Sequence, residues 1–330
     1  MEDFMKKLLI IGGGISGLIA SWVFQKVPGL DVKVLEIGRP GGDFMAGGLK
    51  YLHKTDEMMG MLDDLGVTHT DYSVQGGILL KGVVEPYPAC MRGIDKDRAM
   101  RIQHDHYRKT RGIEPDAFAA RSMNDPEATG PRTALRCDMQ QALRRLVARA
   151  NIVPDRADKI EPHKVTGSSG VVHRYDLMIT TVPLWVMKQL SWFDLPDAMA
   201  SKLNLVMVDP NPRMDHYARW DYVYTPYTPE NLVHRLSPRD GGYTCEFNGA
   251  WDEEKTSDRI TSEMNFLFPE GWALNRVLKD LNGHLLPLAT KPAWPFNIRP
   301  LGRFAQWDPR ATSDVVLNTS KKLVKEWNLA

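Results

Sequence analysis

Apolar residues run along this chain in two rhythms. Leu8–Ile11 is a continuous aliphatic run, too short for a helix and bounded by glycine, which predicts a buried parallel strand. From Ile15 to Lys26 apolar positions recur at helical spacing until Pro28-Gly29 interrupts them, and Val32–Leu35 is a second strand-sized run. Strand, tight turn, helix and strand make one βαβ unit, so the pattern predicts an α/β fold with a parallel sheet. Leu135–Ala150 reads as an amphipathic helix with Leu135, Met139, Leu143, Leu146 and Val147 on one stripe. Residues 151–165 and 170–180 read as short strands around the turn Gly167-Ser168-Ser169-Gly170. Farther on the period drops to two: Tyr222 and Tyr224, then Tyr243, Cys245 and Phe247, alternate with polar residues. That predicts an antiparallel sheet with one covered face.

The first turn carries the clearest chemistry. Gly12, Gly14 and Gly17 have G-x-G-x-x-G spacing between the first strand and the first helix. Such a turn brings backbone close to a pyrophosphate, and the helix N-terminus that follows offers free N–H groups and a positive dipole end. Ile15 and Ser16 supply two of those N–H groups. Glu36 ends the second strand, nineteen residues after Gly17, where a carboxylate accepts hydrogen bonds from adenosine ribose hydroxyls and disfavours a 2′-phosphate. The three glycines alone are weak evidence; strand, helix and acid together define a dinucleotide site.

Composition narrows the rest only slightly. The 330 residues are 43% hydrophobic and 25% charged with a net charge of +1, so overall charge names no partner. Basic residues cluster in 91–111 and 136–150, which reads either as solvated helix faces or as a surface for phosphates or nucleic acid. The cysteines Cys90, Cys137 and Cys245 are isolated, without metal-binding spacing, and are expected to be buried thiols in a reducing, cytoplasmic setting. His104-Asp105-His106 is expected on a solvated helix surface. No run is long and apolar enough to be a membrane span, and no signal peptide is expected. Nucleophile-elbow, zinc-helix and P-loop patterns are absent from the sequence.

After Glu36 comes a second glycine cluster, "IGRPGGDFMAGG". With it the chain resembles the large FAD family that includes amine oxidases, protoporphyrinogen oxidase and UDP-galactopyranose mutase, in which the acid is followed by a Gly-Gly pair lining the cofactor. Here that pair is Gly41-Gly42, one residue closer to the acid than usual, with Arg39 expected near the pyrophosphate. "GGLKYLHK" (47–54) resembles the segment that passes beside the flavin ring, where Gly48 would line the cofactor and the mutase has a His in the place of Lys50. "YDLMITTVP" (175–183) resembles the strand before the family's Thr-x-Pro bend, with Thr181 at the cofactor. "LGRFAQW" (301–307), with a helix from about Thr312, resembles the late flavin motif, in which Gly302 and Arg303 meet the pyrophosphate or ribityl chain.

The resemblance implies a Rossmann-like FAD-binding domain of the glutathione-reductase type, assembled from residues 1–75, 133–183 and 296–330. A mixed α+β substrate domain, 76–132 and 184–295, would be inserted into it. It implies Lys50 and His53 as catalytic candidates and Tyr222, Tyr224, His234, Arg235 and Glu246 as substrate contacts, against the plainer reading of each as packing or surface. Three functions stay open. The first is FAD-dependent oxidation at the C–N bond of an amine. The second is redox-neutral isomerisation like that of the mutase, with Arg219, Arg235, Arg299 or Arg303 holding a diphosphate. The third is a non-catalytic scaffold stabilised by FAD. A narrower resemblance is to bacteriophage flavoenzymes of thymidine hypermodification, which act on N-glycinyl thymine in DNA and leave an aminomethyl base. It would place the protein in the host cytoplasm with DNA as carrier of the amine.

Overall fold

The structure is a computed structural model. It describes residues 5–42, 51–80, 82–87, 101, 104, 108, 133–210, 217–225, 233–239, 241–308 and 311–329. In chain order the elements begin with β1 (Lys6–Ile11), α1 (Ile15–Phe24), β2 (Leu30–Leu35), β3 (Leu52–His53), α2 (Asp56–Asp64), β4 (His69–Ser73), β5 (Gly76–Leu80) and β6 (Val83–Tyr87). There follow β7 (Thr133–Cys137), α3 (Met139–Arg149), β8 (Ile152–Val153), β9 (Ala157–Glu161), β10 (Lys164–Gly167), β11 (Val172–Arg174), β12 (Leu177–Thr180) and α4 (Leu184–Leu190). Last come β13 (Ala200–Pro210), β14 (Tyr222–Tyr224), β15 (Val233–Arg239), β16 (Gly242–Asn248), α5 (Glu253–Leu267), β17 (Trp272–Leu285), β18 (Ile298–Pro300), α6 (Arg303–Gln306) and α7 (Ser313–Glu326).

The chain forms two compact units: residues 1–72, 134–199 and 287–330, and residues 73–133 and 200–286. The first is built on a five-stranded sheet in the order β18-β12-β1-β2-β8, with every neighbouring pair parallel. Alternate residues of β1 enter different layers. Leu8 and Ile10 pack with α1, α2, α3 and α7, while Leu9 and Ile11 pack under α4 and the β9-β10-β11 meander. Both faces are covered, so the strand is aliphatic throughout rather than alternating. A small sheet, β3-β7-β4, lies beside the helical layer.

Two sequence expectations change here. Residues 133–137 are strand, and the helix begins only at Met139, because Asp138 caps it by accepting from the Gln141 N–H at 2.8 Å. Leu135 is therefore buried by pairing with Leu52, not by a helical stripe.

The second unit is a seven-stranded sheet, β17-β13-β16-β15-β14-β5-β6. It is mixed rather than wholly antiparallel, since β14 pairs parallel with β5. The covered face carries Val206, Val223, Leu236, Cys245 and Phe247 against Ile260, Met264 and Leu267 of α5. Alternation along β14 then puts Tyr222 and Tyr224 on the face opposite to Tyr243, Cys245 and Phe247.

Candidate functional site

In the first unit the glycine turn leaves β1 and enters α1. Gly12 has φ +98°, a conformation closed to most side chains, and a Cβ there would meet the Thr181 hydroxyl at 2.5 Å. Gly17 faces the carbonyl of Gly12, which an added Cβ would meet at 2.0 Å. Both glycines thus let the helix seat directly on its own turn. The Thr181 hydroxyl donates to the carbonyls of Ile11 at 3.1 Å and Gly12 at 3.0 Å, fastening the end of β12 to the turn.

Around this turn the structure gathers residues far apart in sequence. Gly41 N donates to Gly13 O at 2.7 Å, and Gly42 N donates to Arg39 O at 3.0 Å, so the second glycine pair lies beside the first cluster. Gly302, at the start of α6, lies against Ser16 of α1. Glu36 turns inward: its carboxylate accepts from Gly13 N at 2.7 Å and Gly38 N at 2.6 Å. Those bonds fix the carboxylate at the end of β2 and leave its other lone pairs for outside donors.

This cradle fits a dinucleotide. The α1 N-cap is Gly14, which has no side chain to bond the first helical N–H groups, and the first turn holds no acidic residue. Among the described residues a Cβ on Gly14 would meet nothing within 4 Å, so none of them fills the space directly before Ile15 and Ser16. Uncapped N–H groups and a positive helix end facing open space suit a pyrophosphate. Arg39 and Arg303 are exposed. Gly48 and Lys50 lie outside the described residues, as do Cys90, Asp105 and His106.

His53, on β3, does find a partner. Its Nδ1 lies 3.1 Å from Oδ1 of Asp314, in the first turn of α7, and the Thr312 hydroxyl donates to the same oxygen at 2.6 Å. Burial pushes the Asp314 carboxyl up, but the bonds from His53 and Thr312 outweigh it and hold the group at about 2. Asp314 had no signal in the sequence, because its role depends on α7 meeting β3.

In the second unit, one rung of the sheet brings together Tyr224, Arg235 and Glu246. Glu246 is buried; its Oε1 accepts from Arg235 Nε at 2.8 Å and also from Arg235 Nη2, and Oε2 lies 3.0 Å from His234 Nε2. Burial raises the Glu246 carboxyl, yet Arg235 and His234 bring it down to about 2. His234 sits where the β15–β16 register shifts, which turns its ring toward Glu246. The rings of Tyr222 and Tyr224 are 5.0 Å apart, both half-buried, and Tyr222 lies over Gly76. Of the five substrate candidates, four thus share the sheet face turned from α5, with His234 behind them as a buried support.

No protein-family model matches the sequence, and no curated protein matches it. Solved structures do match over nearly the whole chain. The structure of reduced UDP-galactopyranose mutase aligns with a TM-score of 0.72 at 15% identity, covering 98% of this chain and 96% of that one. A fatty acid isomerase from P. acnes that produces CLA aligns at 0.65 and 14% identity, covering 99% of each chain. A putrescine oxidase variant redesigned in its cofactor binding aligns at 0.58 and 12% identity, covering 97% and 99%. The fold is therefore the expected one: a Rossmann-like α/β unit on a parallel sheet with a mixed α+β insertion.

Proposed function

We propose that this chain binds FAD and is an oxidoreductase acting on the C–N bond of an amine. The observation that carries the reading is the cradle: an uncapped α1 N-terminus facing open space, with Glu36 fixed at the end of β2 and Gly41-Gly42 alongside. The N–H groups of Ile15 and Ser16 would hold the pyrophosphate, and Glu36 the adenosine ribose. Gly48, Gly302 and Arg303 would line the rest of the cofactor, with Thr181 keeping the turn in shape. Bound FAD supplies a two-electron acceptor for the hydride of the amine carbon. The substrate is left as an imine, which water converts to a carbonyl compound and a shorter amine. His53 would take the amine proton, and Lys50 would stabilise negative charge beside the cofactor. Tyr222, Tyr224 and Arg235 would contact substrate, with Glu246 and His234 keeping Arg235 in place.

The specific substrate we propose is N-glycinyl thymidine in DNA. Oxidation at the glycine α-carbon and hydrolysis would release glyoxylate and leave an aminomethyl base. Support comes from the resemblance to phage flavoenzymes and from Arg144 and Arg145, both exposed on α3. Among the described residues no helix is long and apolar enough to cross a membrane.

The alignment with the mutase favours a second reading, a redox-neutral isomerase. Against it, three of its four candidate arginines are engaged elsewhere, Arg235 with Glu246, Arg299 with the Pro295 and Ile298 carbonyls, and Arg219 over Trp220, while Arg303 is exposed.

The visible absorption spectrum during anaerobic titration with amines, including DNA carrying N-glycinyl thymidine, tests all of this. Bleaching by an amine supports the oxidoreductase, and a flavin spectrum that no amine changes favours the isomerase or the scaffold. No flavin, even after adding FAD, removes the reading altogether. Binding of the DNA should weaken steeply with salt; salt-independent turnover of a free small amine would argue against a DNA carrier.

A further inference from the structure

From the geometry we infer that Asp314 is a positioning residue that orients His53 for proton transfer at the end of the first unit where the glycine cradle lies. The inference rests on the proposed flavoenzyme reading for the reaction it serves, but the pair itself stands on the structure.

Four histidine–carboxylate pairs occur among the described residues, and they differ in who is covered. In His173–Asp155 both side chains are sealed, at 10% and 3% exposure, and Asp155 is also bonded by Ser168, Ser169 and the Arg156 N–H, which makes it the hub of a turn. His234–Glu246 is sealed at 2% and 5%. In His69–Asp63 the acid is open, at 71%. Only His53–Asp314 combines a covered acid, 15% exposed, with an imidazole that reaches solvent, at 31%. An ion pair made only for stability gains nothing from that asymmetry, whereas an imidazole oriented from behind and open in front has the geometry of a proton carrier.

Its place in the fold agrees. α7 packs along α1, and the ring of Trp327, just past the end of α7, lies 5.9 Å from that of Phe24, the last residue of α1. The two helices therefore run the same way, and their N-termini share the cradle's end of the sheet. Measured from the Phe24–Trp327 end, α7 extends about 20 Å and α1 about 14 Å at 1.5 Å per residue. Asp314, in the first turn of α7, thus lies past the start of α1 on the cradle's side of the first unit. The Thr312 hydroxyl donates to the same Oδ1, which helps to hold that oxygen in place for the imidazole. The groups facing His53 are Asp314 and Thr312 from α7; the neighbouring Lys54 is paired with Asp71 of β4. With Nδ1–H donating to Asp314, Nε2 carries the lone pair that accepts the substrate proton.

Long-range ¹H–¹⁵N NMR of the imidazoles, on the FAD-loaded protein and repeated without FAD, tests the pair directly. The neutral His53 ring should carry its proton on Nδ1, and Asp314→Asn should return it to Nε2. A wild-type ring protonated on Nε2, or a ring unchanged by Asp314→Asn, would overturn the inference. In turnover, Asp314→Asn should lower kcat about 10- to 100-fold with KM nearly unchanged and should displace the pH profile. Asp314→Glu should recover part of the rate, and His53→Gln should leave nothing further for Asp314→Asn to remove. Equal kcat for Asp314→Asn and wild type would also overturn it. If the protein takes up no flavin, the functional reading fails while the tautomer result still decides whether Asp314 orients His53.

Discussion

Single residues set the cradle. Gly17 has the carbonyl of Gly12 where a side chain would start, and backbone cannot move aside as a flexible side chain can. Gly17→Ala is expected to destabilise the protein by about 2 kcal/mol through overpacking and strain. It should also weaken FAD retention at least as much as Glu36→Ala does. Urea unfolding and the flavin absorbance of the purified variants check both effects. Gly14→Ala makes the contrasting case: its Cβ would meet none of the described residues within 4 Å, so the apoprotein should unfold at nearly the same urea concentration while FAD uptake drops. Equal loss of apoprotein stability in the two variants would show that the space before Ile15 is not reserved for a ligand. The motif positions were legible in the sequence because the chemistry fixes their spacing. Gly13 was not: it is hemmed in by Glu36, which a Cβ would meet at 2.8 Å, and only the fold of the β2 end brings that carboxylate there.

At the scale of elements, termini decide what periodicity cannot. The apolar stripe from Leu135 to Val147 runs unbroken through a strand end and a helix, and the boundary is the Asp138 cap. Asp138→Ala is expected to cost about 1 kcal/mol, read as a lower urea midpoint, and to loosen the start of α3. That helix also touches the cradle, since Leu143 lies where a Cβ on Gly41 would go. The edge strand β17 is fourteen residues long, which would invite strand pairing with another chain, but its register against β13 shifts three times and Asp280 has φ +53°. Such irregularities blunt an edge. In the same sheet the buried Glu246 holds both Arg235, half-buried, and His234, buried. Glu246→Ala should destabilise by about 1–3 kcal/mol, because Arg235 loses its counter-charge, partly screened by solvent, and buried His234 loses its partner. Glu246→Gln should cost less, since it keeps an acceptor. Denaturant titration of both variants checks the order.

For the whole molecule the acid response follows from carboxylates that their partners hold ionised: Asp155, which His173 and Ser169 hold well below the usual range, together with Glu246 and Asp314. Glu246 and Asp314 each fall to about 2 in the folded chain, from ordinary values of 4.5 and 3.8. A depressed folded value means the unfolded chain takes up protons first. The stability these groups contribute is therefore complete above about pH 4.5 and is lost as the pH falls toward 2. Circular dichroism across that window should show a falling thermal midpoint, with Asp314→Asn flatter than wild type below pH 4. A wild-type midpoint unchanged between pH 5 and 2.5 would show that none of these pairs holds in solution.

The sequence by itself determined the parallel sheet, the tight glycine turn between β1 and α1, and the acid that ends β2. Each rests on local spacing: aliphatic runs buried on both faces, glycines where a helix seats on its own turn, an acid at a strand end. Only the tertiary structure decided which polar groups act together. Asp314 meets His53 across more than 250 residues of chain, Gly302 meets Ser16, and Glu246 is sealed between Arg235 and His234. It also decided that Tyr222 and Tyr224 face away from the helix-covered core, because strand order and register set the phase of an alternation that the sequence shows only as alternation. Spacing along the chain fixes local geometry; pairing across it depends on packing, which no single segment encodes.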